Sequence, residues 1–166
     1  MATVYKGYQE SIDRYVAVKV LPHEFLHDPN FSVRFLAEAK TLAKLTHSSI
    51  LPIYDFGYAN EVPYIVMPIM SNGTLSDKIK KGALSIEEAI RIFTPIADAL
   101  DFAHKLGVLH RDVKPSNILF DQNDNPFLAD FGIAKAMESA SSLTGTGIVG
   151  TPDYMSPEQA RGEQVD

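Results

Sequence analysis

The stretch His110–Phe120, HRDVKPSNILF, places five side chains able to carry charge or a strong hydrogen bond (His110, Arg111, Asp112, Lys114, Asn117) within eight residues. A helical apolar pattern runs up to them, and the apolar triplet Ile118-Leu119-Phe120 follows. Taken alone, Asp112 reads as a turn residue just past a helix-stopping glycine. Lys114 and Asn117 change that reading. An Asp can accept a proton, a Lys can neutralise a phosphate, and an Asn can ligate Mg2+ through its carbonyl oxygen, because hard cations prefer oxygen ligands. Asp130-Phe131-Gly132 stands thirteen residues beyond Asn117, across a predicted hairpin. Asp130 can therefore return to the same metal, and the set has the parts that phosphoryl transfer needs.

Working outward, the apolar pattern before this stretch predicts a helix starting at Ser85, with Glu88 three residues on as a capping box. Ile86, Ile90, Phe93, Ala97, Leu100 and His104 form its expected buried stripe. Pro95 should kink it, and Gly107 closes it. Upstream, Asn72-Gly73-Thr74 caps a short helix that stops at Gly82. TVYKGY and YVAVKVL read as two strands joined by a polar turn at residues 9–14, and ILPIYDFGY and PYIVMPI as two more joined through ANEV. Between these pairs, Asp28-Pro29 opens a helix as N-cap and N1, with Phe31, Phe35, Leu42 and Leu45 on its apolar face. Downstream, short strands at 118–120 and 127–129 flank the turn DQNDNP. The first 70 residues are thus mostly strand and the next 50 mostly helix. That order predicts an α+β fold in two lobes, 1–69 and 70–166, with a crevice where they meet.

Composition bounds the function. Of 166 residues 45% are apolar, enough for a real core, and the net charge is −6. An acidic chain is poorly suited to nucleic acid or an anionic membrane as its main partner. The absence of cysteine rules out disulfides and Cys-ligated metal sites. No apolar stretch is long enough to span a bilayer.

Together the motifs HRDVKPSN (110–117), DFG (130–132), SPE (156–158) and VAVK (16–19) resemble the signature set of eukaryotic-type protein kinases, in the right order and over the whole chain. The linkers and the segment GTPDYMSPEQARG resemble the bacterial serine/threonine members of that family. The resemblance implies a bilobal kinase fold, ATP and Mg2+ as cofactors, and protein serine or threonine hydroxyls as acceptors. It implies that Asp112 is the base, that Lys114 steadies the transferring phosphoryl group, and that Asn117 and Asp130 hold the metal. Lys19 would grip the α- and β-phosphates, paired with Glu38. Glu38 shares the apolar helix face of Phe35 and Leu42, where a carboxylate is costly unless paired. Val4, Ala17 and Leu119 would wall the adenine, Met67 would be the gatekeeper, and Pro68 and Met70 would offer a carbonyl and an N–H. Pro68 departs from the usual acidic residue, but only its carbonyl is needed there.

The same resemblance assigns Arg111 to a phosphorylated residue of the activation segment, with Thr144 and Thr146 as the candidate sites and a second copy of the kinase as the enzyme that modifies them. Thr151 and Lys114 match serine/threonine rather than tyrosine specificity. His110 reads as structural, stacked with Tyr54, Leu42 and Phe131. A cytoplasmic catalytic domain is expected, with membrane anchoring of a longer protein left open. The chain begins after the place of the family's phosphate-covering glycines and stops eight residues after SPE. The expectation is a fragment truncated at both ends, with an inactive fragment or a pseudokinase-type binding module as the alternative. A remote rival is HEFLH (23–27), which matches the zinc-protease pattern H-E-x-x-H. Pro22 before it and Asp28-Pro29 after it leave barely one helical turn, no third ligand stands out, and a solvated connection is expected.

Overall fold

The computed structural model describes residues 2–21, 31–131, 152–161 and 163. The expected helix opening at Asp28-Pro29, the HEFLH motif, Gly132, Thr144, Thr146 and Thr151 lie outside these residues. The chain forms two compact units, residues 1–46 with 51–69, and residues 47–50 with 70–166.

The first unit is a four-stranded antiparallel sheet ordered β1-β2-β4-β3, with one helix. β1 (Thr3–Gln9) and β2 (Arg14–Val20) are rich in the β-branched and aromatic residues that suit a pleated surface. A 3-10 turn joins them, and Asp13 at φ 48° reverses the chain. β3 (Asp55–Ala59) and β4 (Val62–Met67) meet through Asn60 and Glu61, both at positive φ, as a two-residue hairpin loop requires. The strand expected over 50–58 is confined to its second half, Asp55–Ala59. Pro52 has no N–H for a ladder, and only Ile50 forms an isolated bridge before β3. In α1 (Phe31–Leu42), Phe31, Phe35 and Ala39 are buried, and the Phe35 ring meets Tyr58 of β3 edge-on at 5.5 Å.

The second unit holds α2 (Leu75–Lys81), α3 (Ile86–Lys105), a β5–β6 hairpin (Ile118–Phe120, Pro126–Leu128) and a short helix, Pro157–Ala160. Thr74 caps α2 in a capping box with Asp77, as the Asn72-Gly73-Thr74 signal predicts. The Ser85 hydroxyl accepts from Glu88 N at the start of α3, and Gly107 at φ 74° follows its end. β6 begins at Pro126, one residue earlier than expected, since proline is tolerated as the first residue of a strand. The hairpin is held along both edges. Phe120 N donates to Gly73 O at 3.0 Å, and Leu128 N donates to Ser49 O at 2.8 Å. The second bond explains why residues 47–50 group with this unit.

One sequence expectation is corrected here. The buried face of α3 is Ile92, Ile96, Ala99 and Ala103, whereas Ile86, Ile90 and Phe93 are 75%, 60% and 49% exposed, and Ala97 and His104 are also exposed. The helix carries two adjacent apolar arcs. The arc with Ala99 and Ala103 faces inward because small side chains let the helix backbone approach its neighbours closely. The helix continues through Pro95.

Candidate active site

The loop between α3 and β5 is built by local bonds. His110 is only 2% exposed, and Arg111 takes a left-handed conformation at φ 61°, uncommon for a residue with a long side chain. A 3-10 turn, Pro115–Asn117, closes the loop, with Asn117 N bonded to Lys114 O at 2.9 Å. Within it Lys114 Nζ lies 2.9 Å from Asp112 Oδ2, the two side chains being 23% and 14% exposed. Buried Asn117 donates through Nδ2 to the Asp112 carbonyl at 2.8 Å and to Asp112 Oδ2 at 3.1 Å. Three of the predicted site residues therefore meet directly: Asp112, Lys114 and Asn117.

Asp130 is brought to them through the backbone. Ala129 N donates to Asn117 O at 2.8 Å, extending the β5–β6 ladder by one bond. On the other side, His110 Nε2 donates to Ala129 O at 2.8 Å, and the His110 and Phe131 rings lie 4.6 Å apart. Ala129 is thus bonded on both sides to the loop that carries Asp112 and Asn117, and Asp130 is the next residue. Asp130 is exposed and also left-handed, at φ 60°. Such conformations cost energy and gather at functional sites.

In the first unit, strand register brings other predicted residues onto one sheet face. Val4 and Ile65 flank Lys19 on the neighbouring strands, and Lys6 and Met67 flank Ala17. Directly paired residues share a face, as do residues two apart along a strand. Val4, Ala17, Lys19 and Met67 are therefore on the same side. Tyr58, two residues from the Ile65 partner Phe56, lies there too, and it meets Phe35 of α1. The helix bearing Glu38 packs on the face that carries Lys19. Lys19 is half-buried on an inner strand, not at a sheet edge. Pro68 and Met70, both half-buried, follow β4, and Leu119 sits in β5 of the second unit. Tyr54, expected to stack with His110, carries the Arg14 guanidinium on its ring at 3.6 Å.

Two residues were not picked out from sequence. Gln159 caps the short helix reciprocally with Ser156, and its Nε2 also donates to Arg111 O at 3.1 Å. The Ser-x-x-Gln spacing of a capping box was the available signal. Asp124, in the hairpin turn, gathers partners from distant elements and had no signal beyond being a turn residue.

The protein kinase domain family matches residues 1–166. This chain belongs to the protein kinase domain family. Among similar proteins, a probable serine/threonine-protein kinase of Clostridium acetobutylicum is 44% identical over 166 residues, covering 99% of this chain and 25% of that protein. The serine/threonine-protein kinase PknB of Mycobacterium leprae is 41% identical over 172 residues, covering 100% of this chain and 28% of its own length. The chain thus spans about a quarter of these relatives. The crystal structure of the M. tuberculosis PknI kinase domain superposes with a TM-score of 0.78 at 31% identity, covering 100% of this chain and 61% of that one.

In this kinase chain the donor set fits the metal that the family implies. Both contacts of the Asn117 amide nitrogen are to Asp112, which leaves the amide oxygen as the atom to offer a cation. Asp130 adds a carboxylate. An all-oxygen pair suits Mg2+ or Mn2+ rather than zinc. Among the described residues no three His, Cys, Asp or Glu side chains cluster as a metal site, and no helix is long and apolar enough to cross a membrane.

Proposed function

We propose that this chain carries the phosphoryl-transfer residues of a serine/threonine protein kinase, using ATP with Mg2+ and protein hydroxyls as acceptors. The observation that carries the reading is Ala129, bonded to Asn117 on one side and to His110 on the other. It supports Asp112, Asn117 and Asp130 acting as one set.

In this reading Asp112 orients the acceptor hydroxyl and takes its proton as the oxygen bonds to the γ-phosphorus. The bond from that phosphorus to the β–γ bridging oxygen breaks, and ADP leaves. Lys114, held on Asp112 at 2.9 Å, supplies positive charge to the transferring group. Asn117 and Asp130 would hold Mg2+, which when bound neutralises phosphate charge. Lys19, with Glu38 as its partner, grips the α- and β-phosphates. Val4, Ala17, Met67, Pro68, Met70 and Leu119 serve the base. Most of the rate gain then comes from positioning and charge stabilisation. Thr144 and Thr146 are the proposed phosphorylation sites, read by Arg111 and modified by a second copy, and Thr151 contacts the acceptor. A cytoplasmic setting for the domain fits the lack of cysteine.

The test is transfer of label from γ-labelled ATP to a generic serine/threonine protein by the full-length protein, with and without Mg2+. Incorporation on serine and threonine that requires both the metal and Asp112 supports the reading. Metal-dependent transfer that survives loss of Asp112 removes it.

A further inference from the structure

The β5–β6 hairpin has two ends with different tasks. At its open end Ile118 pairs with Leu128, and the ladder continues through Asn117 O and Ala129 N. Asn117 and Asp130, the proposed metal ligands, stand at that end. The closed end is the turn 121–125. It is braced internally: the Asp121 carboxylate accepts from Asn123 N, Asn125 N and Asn125 Nδ2 at 2.8–3.0 Å. A turn satisfied in this way needs no outside partner.

Asp124 nevertheless reaches out of it. Its backbone is left-handed at φ 63°, and its carboxylate bonds outside the hairpin, to α2, α3 and Asn72. Oδ1 accepts from Lys78 Nζ of α2 at 2.7 Å and from Asn72 Nδ2 at 3.2 Å. Oδ2 accepts from Arg91 Nη2 of α3 at 2.7 Å, and the Asp124 carbonyl accepts from Arg91 Nη1 at 3.0 Å. Three separate segments converge on one residue at the hairpin tip. The edge bonds to Gly73 and Ser49 hold the hairpin sideways. The Asp124 clamp fixes it along its length, and hence fixes how far its open end projects.

We propose that Asp124 is a positioning residue that sets the placement of Asn117 and Asp130 through the hairpin, so that its contribution is to metal binding at the far end. This rests on the reading of Asn117 and Asp130 as metal ligands. The chain's own geometry suggests the cleanest variant. Glycine accepts positive φ without penalty, so Asp124→Gly removes the carboxylate and keeps the turn and the carbonyl that Arg91 holds. Arg91→Met and Lys78→Met each release one arm and leave Asp124 in place.

The experiment titrates Mn2+ by electron paramagnetic resonance into the full-length protein saturated with a non-hydrolysable ATP analogue, with metal-free analogue affinity measured alongside. Asp124→Gly is expected to weaken Mn2+ binding by about 3- to 10-fold, within the range for remote coupling, with metal-free nucleotide affinity unchanged. Lys78→Met and Arg91→Met should follow in the same direction with smaller effects. Lower melting temperature with unchanged Mn2+ affinity in all three variants overturns the proposal and leaves a purely structural clamp. Asn117→Ala and Asp130→Ala are run in parallel. If they weaken Mn2+ binding and Asp124→Gly does not, only the positioning role fails. If they too leave it unchanged, the ligand assignment fails and the proposal falls with it.

Discussion

His110 Nε2 donates to the carbonyl oxygen of Ala129 at 2.8 Å, across nineteen residues of sequence. The other ring nitrogen, Nδ1, accepts from Asp112 N at 3.2 Å. A carbonyl can only accept and a backbone N–H can only donate, so the two partners together define a neutral imidazole with its proton on Nε2. One buried ring therefore joins the loop holding Asp112 to the strand end leading to Asp130. His110→Phe keeps an aromatic ring against Phe131 and leaves both partners without this bond. Orphaning a buried carbonyl costs about 1–3 kcal/mol, and each kcal/mol lowers the melting temperature of a domain this size by roughly 2–4 °C. A calorimetric scan of the full-length variant should show that fall, with a loss of turnover. An unchanged melt would mean that the ring does not tie the two segments together.

Asp112→Asn separates chemistry from binding. The substitution keeps the shape but removes the proton acceptor and the charge that faces Lys114 at 2.9 Å. General base catalysis is typically worth about 10²–10⁴-fold, so turnover should fall within that range. Nucleotide affinity should change little, because the residues proposed to grip the phosphates and base are elsewhere. The measurement is kcat alongside ATP-analogue binding by calorimetry. Equal losses in both would remove Asp112 from the role of base and make it a binding residue.

What could be read from the letters differs between elements for physical reasons. The caps at Thr74 and Ser85 and the stop at Gly107 are local, so a few neighbouring residues were enough to identify them. The same holds for the bonds within the run from His110 to Asn117, which span at most five residues. The inward face of α3 was not legible. Its two apolar arcs differ little in pattern, and the choice depends on where Ala99 and Ala103 allow another element to approach. Asp124 was invisible because its partners lie 33, 46 and 52 residues away. Gln159 is intermediate. Its cap is local and readable, but its bond to Arg111 O, 48 residues away, is not.

The same Asp124 makes stability depend on acid. Its hydrogen bond from Lys78, followed by that from Arg91 and the charges of both, holds its carboxyl below the usual carboxylate range. A group whose folded pKa is depressed stabilises the fold above its unfolded pKa, about 3.9 for Asp. That contribution is lost as the pH falls through the lower, folded value. Between pH 5 and 7 the full-length wild type should therefore melt above Asp124→Asn. The gap should begin to narrow below about pH 4 and close only as the pH falls through the lower, folded value. Because the ion pairs are partly exposed, added salt should narrow the gap at neutral pH as well. A gap that stays constant from pH 7 into strong acid would show that the charge of Asp124 is not what stabilises the fold.

The outward arc of α3 has a consequence for the 166-residue chain on its own. Ile86, Ile90 and Phe93 lie one turn apart and are each about half or more exposed. Single exposed apolar residues are ordinary, but a row of large ones on one helix face marks an association surface. Apolar surface left open in this way drives association at roughly micromolar and higher concentrations. Sedimentation velocity on the 166-residue chain should show mass rising with concentration, together with binding of an apolar fluorescent dye. The double variant Ile90→Lys, Phe93→Lys should suppress both and leave the far-ultraviolet helical signal unchanged, because neither side chain contributes to the buried arc of Ile92, Ile96, Ala99 and Ala103. Loss of helical signal in the double variant would place Ile90 and Phe93 in the core after all. Association that persists undiminished would move the sticky surface elsewhere, with the exposed cross-strand pair Tyr8 and Tyr15 of β1 and β2 the next face to substitute.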